Sequence, residues 1–147
     1  MTRTRKRKPT IGTVSHATLR AKDLIPAFAD ELRAITGALP HNLYDRIRGL
    51  RGDYSTDDAA EIVNELTDAL NTHALPYSYF GAHEGDSSDF GFWLSHDALE
   101  DFDGLKVADT SEVPKDYSGE VLHVNERGNT TLYAARRGTL TEVWAIV

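Results

Sequence analysis

His83, Asp86 and Asp89 place one imidazole and two carboxylates within seven residues, and His96 follows shortly after. Imidazole with carboxylates is a donor set for Zn, Mn or Fe, and an oxygen-only subset suits Mg or Ca. A small metal-dependent hydrolase working from residues 83–96 is therefore one reading of the chain. The spacing matches neither the helical H-E-x-x-H pattern nor a calcium loop, which needs more acidic positions over a longer span. Asp and Gly in a short loop also have turn duties of their own, in Asx turns, positive φ and solvation. Asp86 and Asp89 would work as an acid–base pair only if folding sets them against each other.

Other chemistries have less to stand on. Cysteine is absent, so disulfides, thiolate ligands and a cysteine nucleophile are excluded. The chain has no Gly-x-Ser-x-Gly elbow, Walker loop, dinucleotide glycine fingerprint or kinase signature. His16, His41, His73 and His123 are scattered and read as surface or half-buried side chains. No catalytic residue and no cofactor is assigned.

The second candidate surface is electrostatic. The net charge of -7 is unevenly spread. Residues 1–52 carry eleven Lys/Arg against four Asp/Glu, residues 53–116 carry two against sixteen, and the remainder balances. Five of the acids, Asp57, Asp58, Glu61, Glu65 and Asp68, fall opposite the apolar stripe of a helix expected over Thr56–Asn71. That helix contains no basic residue. Solvated faces usually mix signs, so an all-acidic one is a candidate surface for a basic partner. His83, Glu84 and Asp86 join it as candidate binding residues.

The elements that must position these groups are legible in outline. Tyr77–Ala82 and Asp89–Leu94 are aromatic-rich and flank the polar loop His83–Ser88, which predicts a β-hairpin. Leu24, Phe28, Leu32 and Ile35 recur at helical spacing, with Asp23 as N-cap, Pro26 in the first turn and Gly37 at the end. Pro40 opens a shorter helix through Leu43, Tyr44 and Ile47, with Arg46, Arg48 and Arg51 near its C-terminal end, where cations suit the dipole. Ser55 or Thr56 caps the acidic helix, and Ser95 caps a short helical turn. Strands are predicted over Ile11–Val14, Glu120–Val124, Thr130–Ala135 and Leu140–Val147, with Gly128 and Gly138 supplying positive φ in the turns. Helices first and strands after predict an α+β fold. N-terminal helices pack on a mostly antiparallel sheet of about five strands that ends in a three-stranded meander. Phe90, Phe92 and Leu94 alternate with Gly91 and Trp93, so both strand faces need cover or an aromatic patch serves self-association.

Residues 1–10 read as a disordered basic arm, since Thr2–Pro9 holds five positive charges and no apolar residue. Residues 11–147 read as a single domain. The arm is either a tether for nucleic acid or a solvated tail touching the chain's own acids. Without it the rest carries -12, which repels a phosphate backbone, so direct nucleic-acid binding is expected only through the arm. No apolar run is long enough for a membrane span, and a cytoplasmic location is expected.

Three blocks, Ser15–Phe28 (S-H-A-T-L-R followed by D-L-I-P-A-F), Tyr79–Trp93 (Y-F-G-A-H-E-G-D-S-S-D-F-G-F-W) and Val124–Val147 (V-N-E-R-G-N-T-T-L-Y to E-V-W-A-I-V), carry a resemblance. The chain resembles a group of small, uncharacterised proteins of phages, plasmids and related mobile elements. The resemblance covers both ends and the middle of the globular part, but neither the arm nor residues 37–56. It transfers no catalytic residue and implies accessory or anti-defence roles. The leading expectation is a non-enzymatic acidic protein that binds a basic surface on a host protein.

Overall fold

The computed structural model describes residues 6–146. Its elements are β1 (Gly12–Ser15), α1 (Ala21–Thr36), α2 (His41–Gly49), α3 (Asp57–Thr72), β2 (Ser78–His83), β3 (Asp86–Leu94), α4 (His96–Glu100), β4 (Leu105–Val107), β5 (Gly119–Val124), β6 (Thr130–Arg136) and β7 (Thr139–Ile146). This is an α+β fold with a terminal meander. The described strands number seven and form two sheets, one of three strands and one of four. The chain groups into two compact units, one made of residues up to Ala74 with Ser78–Trp93, the other of Leu75–Tyr77 with the chain from Leu94 onward.

In the first unit, α1 starts earlier than its sequence suggests. The Arg20 carbonyl accepts from both Asp23 and Leu24 N–H groups, so Arg20 is the N-cap and offers no side-chain cap bond. Asp23 then lies in the first turn, where it accepts the Thr18 hydroxyl at 2.6 Å, and Pro26 falls inside the helix rather than in its first turn. The end is as expected: Gly37, at φ 89°, donates its N–H to Arg33 O. Leu24, Phe28, Leu32 and Ile35 are buried against Ile62, Leu66 and Leu70 of α3 and Phe80 and Phe92 of the hairpin. Phe28 meets Phe80 and Phe90 edge-to-face with centroids 5.1 and 5.5 Å apart, and Phe80 meets Phe92 at 5.0 Å. The predicted helix faces thus become one aromatic core.

The three-stranded sheet has the order β1-β3-β2, with β1 antiparallel to β3. Gly91 lies opposite Thr13, and a Cβ there would stand 2.1 Å from Gly12 O. Only glycine allows this approach. Trp93 faces away from Phe92, its Nε1 donates to Gly81 O at 2.9 Å, and His83 stacks edge-on against it at 4.7 Å. Asn71 Oδ1 accepts the Phe80 N–H at 2.9 Å, which ties the end of α3 to β2. Arg7, from the expected arm, donates its backbone N–H to Ala34 O and pairs with Glu31 at 2.5 Å. Residues 1–5 of that arm lie outside the described residues.

In the second unit, β4-β5-β6-β7 form the four-stranded sheet. β4 is parallel to β5, and the β5–β6 and β6–β7 pairs are antiparallel. Leu122, Leu132 and Trp144 form a buried cross-strand row, while Val107, Val121 and Ala135 anchor a second cluster. Gly128 and Gly138 both sit at φ 80°, in the turns that require it. Tyr77 is held at φ 62°, where non-glycine residues are uncommon. Its hydroxyl donates to Glu120 at 2.6 Å and its ring meets Phe102 edge-to-face at 5.5 Å.

Candidate functional site

The acidic helix is built from both ends. Arg51 (φ 51°) and Gly52 (φ 81°) reverse the chain after α2, and Thr56 caps α3 by accepting the Ala59 N–H at 3.2 Å. Asp57 and Asp58 occupy the first turn, where they complement the helix dipole. Ala59, Ile62, Leu66 and Leu70 turn inward and are fully buried. At about 100° per residue, the helix's five acids, Asp57, Asp68, Glu61, Glu65 and Asp58, fall within about 100° of arc. All five are exposed. Burial of the opposite face is what aligns them.

The stripe has a counter-ion that its own helix lacks. Arg46 of α2 reaches across, with Nη1 2.5 Å from Glu65 and Nη2 3.5 Å from Glu61. The hydrogen bond to Glu65 raises the Arg46 pKa against the opposing effect of burial, and the charges of Glu65, Glu61 and Asp58 add to the rise. Sequence reading placed Arg46 at a helix end for dipole reasons and missed this bridge. Residues fifteen and nineteen apart on two helices carry no local signal of pairing. Five carboxylates against one guanidinium leave the stripe a formal -4. Asp57, Asp58 and Asp68 have no ion-pair partner among the described residues.

The hairpin residues separate by role. β3 begins at Asp86, so the expected six-residue loop shrinks to the two-residue turn Glu84–Gly85. His83 Nδ1 accepts the Gly85 N–H at 2.9 Å, which leaves the other ring nitrogen to carry the proton of the neutral form. Asp86 accepts from the Ser88 hydroxyl at 2.8 Å and the Ser88 N–H at 3.0 Å, and these bonds lower its pKa. Asp89 accepts the Thr13 hydroxyl at 2.8 Å, fastening β3 to β1. Glu84 stays exposed at the tip, where its charge adds to burial in raising the Tyr79 pKa. His96 opens α4 in the second unit. Among the described residues, no group of three or more His, Asp or Glu could hold a metal ion. His83 and Asp86 each fasten a turn, and Asp89 fastens a strand.

The Asp86 arrangement recurs. Asp53 takes the Ser55 hydroxyl and N–H at 2.6 and 3.2 Å, and Asp109 takes the Ser111 N–H at 2.8 Å. All three carboxyls are held below their ordinary values by these bonds. Asp-x-Ser is therefore this chain's recurring turn device.

No helix among the described residues is long and apolar enough to cross a membrane. No family model, curated protein or solved structure matches the chain.

Proposed function

We propose that the chain is a non-enzymatic interaction protein of a phage, plasmid or related mobile element, cytoplasmic in its host. Its α3 stripe binds a basic surface on a host protein. The anti-defence form of this reading has the stripe occupy the nucleic-acid groove of a defence protein. The observation that carries it is the alignment of Asp57, Asp58, Glu61, Glu65 and Asp68 on one exposed helix face, with Arg46 the sole cation bridged to it among the described residues. A row of fixed carboxylates presents what a phosphate backbone presents, and charge complementarity governs encounter and partner choice. Glu84 and Asp86 add negative charge at the hairpin tip, and His83 shapes that tip by packing on Trp93. The mobile-element origin rests on the resemblance of the three sequence blocks.

The reading is tested by immobilising the intact chain, passing host lysate over it at low salt, and repeating at raised salt. A basic protein retained at low salt and released as salt rises supports it, because exposed charge pairs are screened. Retention insensitive to salt, or of acidic proteins only, contradicts it.

A further inference from the structure

The opposite charge balance occurs elsewhere on the first unit, around two cavities that have Tyr54 in common. One, of about 250 Å³, has an apolar floor that includes Ile25 and Leu39 and a wall formed by Tyr44, with Arg33 and Arg48 at its edge. The other, of about 450 Å³, is open and lined by Arg20, Lys22, Asp53 and Ser55. The larger lies within the usual size range of small-ligand pockets and the smaller just below it. Four cations face two carboxylates here, and both carboxylates are already engaged. Asp30 pairs with Arg33 at 3.0 Å, and Asp53 holds Ser55. Arg20, Lys22 and Arg48 have no carboxylate partner among the described residues. The Arg48 guanidinium lies 5.7 Å from the centre of the Tyr44 ring.

We infer that this cleft binds a phosphomonoester with a flat aromatic body. The body enters the smaller cavity, which Tyr44, Tyr54 and Arg48 line, where a guanidinium and rings stack on planar groups. The phosphate sits in the open cavity with Arg20 and Lys22, two cations that suit a dianion better than a carboxylate. This site is separate from the α3 stripe, and its success or failure leaves that reading untouched.

Phenyl phosphate, phenol, inorganic phosphate and benzoate are the probes, titrated into the full chain and followed by backbone amide NMR. Phenyl phosphate is expected to give saturable shifts centred on residues 20–22, 44–48 and 53–55. Each of the other three should bind at least about tenfold more weakly, the scale of one charge-assisted contact. Lys22→Ala and Arg48→Ala should each weaken phenyl phosphate by about tenfold while amides outside the cleft stay in place. If Arg48→Ala disturbs those distant amides, Lys22→Ala decides alone. Absence of saturation, shifts centred elsewhere, inorganic phosphate or benzoate binding as tightly, or an unchanged affinity in Lys22→Ala would each overturn the assignment.

Discussion

Gly91→Ala is the sharpest perturbation of the hairpin that carries His83, Glu84 and Asp86. The new Cβ would lie 2.1 Å from Gly12 O, 2.8 Å from Gly12 C and 3.0 Å from Thr13 Cα. All three neighbours are backbone, so no side chain can swing aside. Opening the first gap even to 3.0 Å pushes β1 from β3 by about 0.9 Å. A hydrogen bond of about 2.9 Å stretched by that amount no longer qualifies as one. Edge strand β1 is four residues long and is the part that gives way, taking the Thr13–Asp89 bond with it. Overpacking of this kind costs about 1–3 kcal/mol. The loss of glycine's freedom in the unfolded chain offsets about 0.4–1 kcal/mol of that. A net loss of about 1–2 kcal/mol lowers the urea midpoint by about 0.5–1 M for a slope near 2 kcal/mol/M. Gly81→Ala is the control, because its Cβ would meet the Tyr79 ring at an ordinary 3.5 Å. Its midpoint should move by less than about 0.3 M. The assay is urea unfolding read from hairpin amide signals, with cross-strand proton contacts between β1 and β3 recorded in the same samples. A Gly91→Ala chain with an unchanged midpoint and intact β1–β3 contacts would refute the reasoning.

Three further outcomes are expected. The Tyr77 hydroxyl is pushed up to about 12, first by its bond to Glu120 and then by burial. The neutral form is therefore favoured by folding: this contribution is complete below the unfolded value near 10 and is lost as pH rises through about 12. Urea midpoints measured from pH 9 upward should fall along that window in the natural chain, with a shallower fall in Tyr77→Phe. Asp86 titrates below its ordinary value because of Ser88, so its contribution is present above about 3.9 and disappears as pH falls through the folded value. Ser88→Ala should move the Asp86 carboxyl back up in an NMR titration, and an unmoved value would reject the turn assignment. EDTA should leave the hairpin amide shifts and the urea midpoint unchanged, since His83, Asp86 and Asp89 are already bonded to Gly85, Ser88 and Thr13. A chelator-induced shift at residues 83–89 would revive the metal reading.

How much of this could be read from the chain depends on the range of the interaction. Leu24, Phe28, Leu32 and Ile35 declare α1 through periodicity, and Thr56 and Ser95 declare their helices because capping is a local exchange of bonds. Gly128 and Gly138 marked their turns for the same reason. The α1 start was misplaced because Arg20 caps through its carbonyl alone, which no side-chain signature records. β4 was missed: three residues paired in parallel with β5 have too little pattern to stand out from a loop. Division of the strands into two sheets rests on long-range pairing such as Thr13 with Gly91, which no window of sequence contains. At the candidate site, the α3 stripe was legible because one helix carries it all. Arg46 was not, because only packing of α2 against α3 brings it there. At the hairpin cluster, turn-forming and metal-binding residues are the same types, so residue type alone does not separate the two uses.

The central claim concerns the α3 carboxylates, and Asp58→Lys, Glu61→Lys and Asp68→Lys combined test it most directly. Glu65 is kept so that Arg46 retains its shorter bridge. With the amide spectrum first shown to remain folded, the reversed chain and the natural chain are compared for binding to the basic host protein retained at low salt. Loss of binding in the reversed chain, in step with the loss produced by raised salt, is the predicted result. Equal binding by the two folded chains would contradict the account.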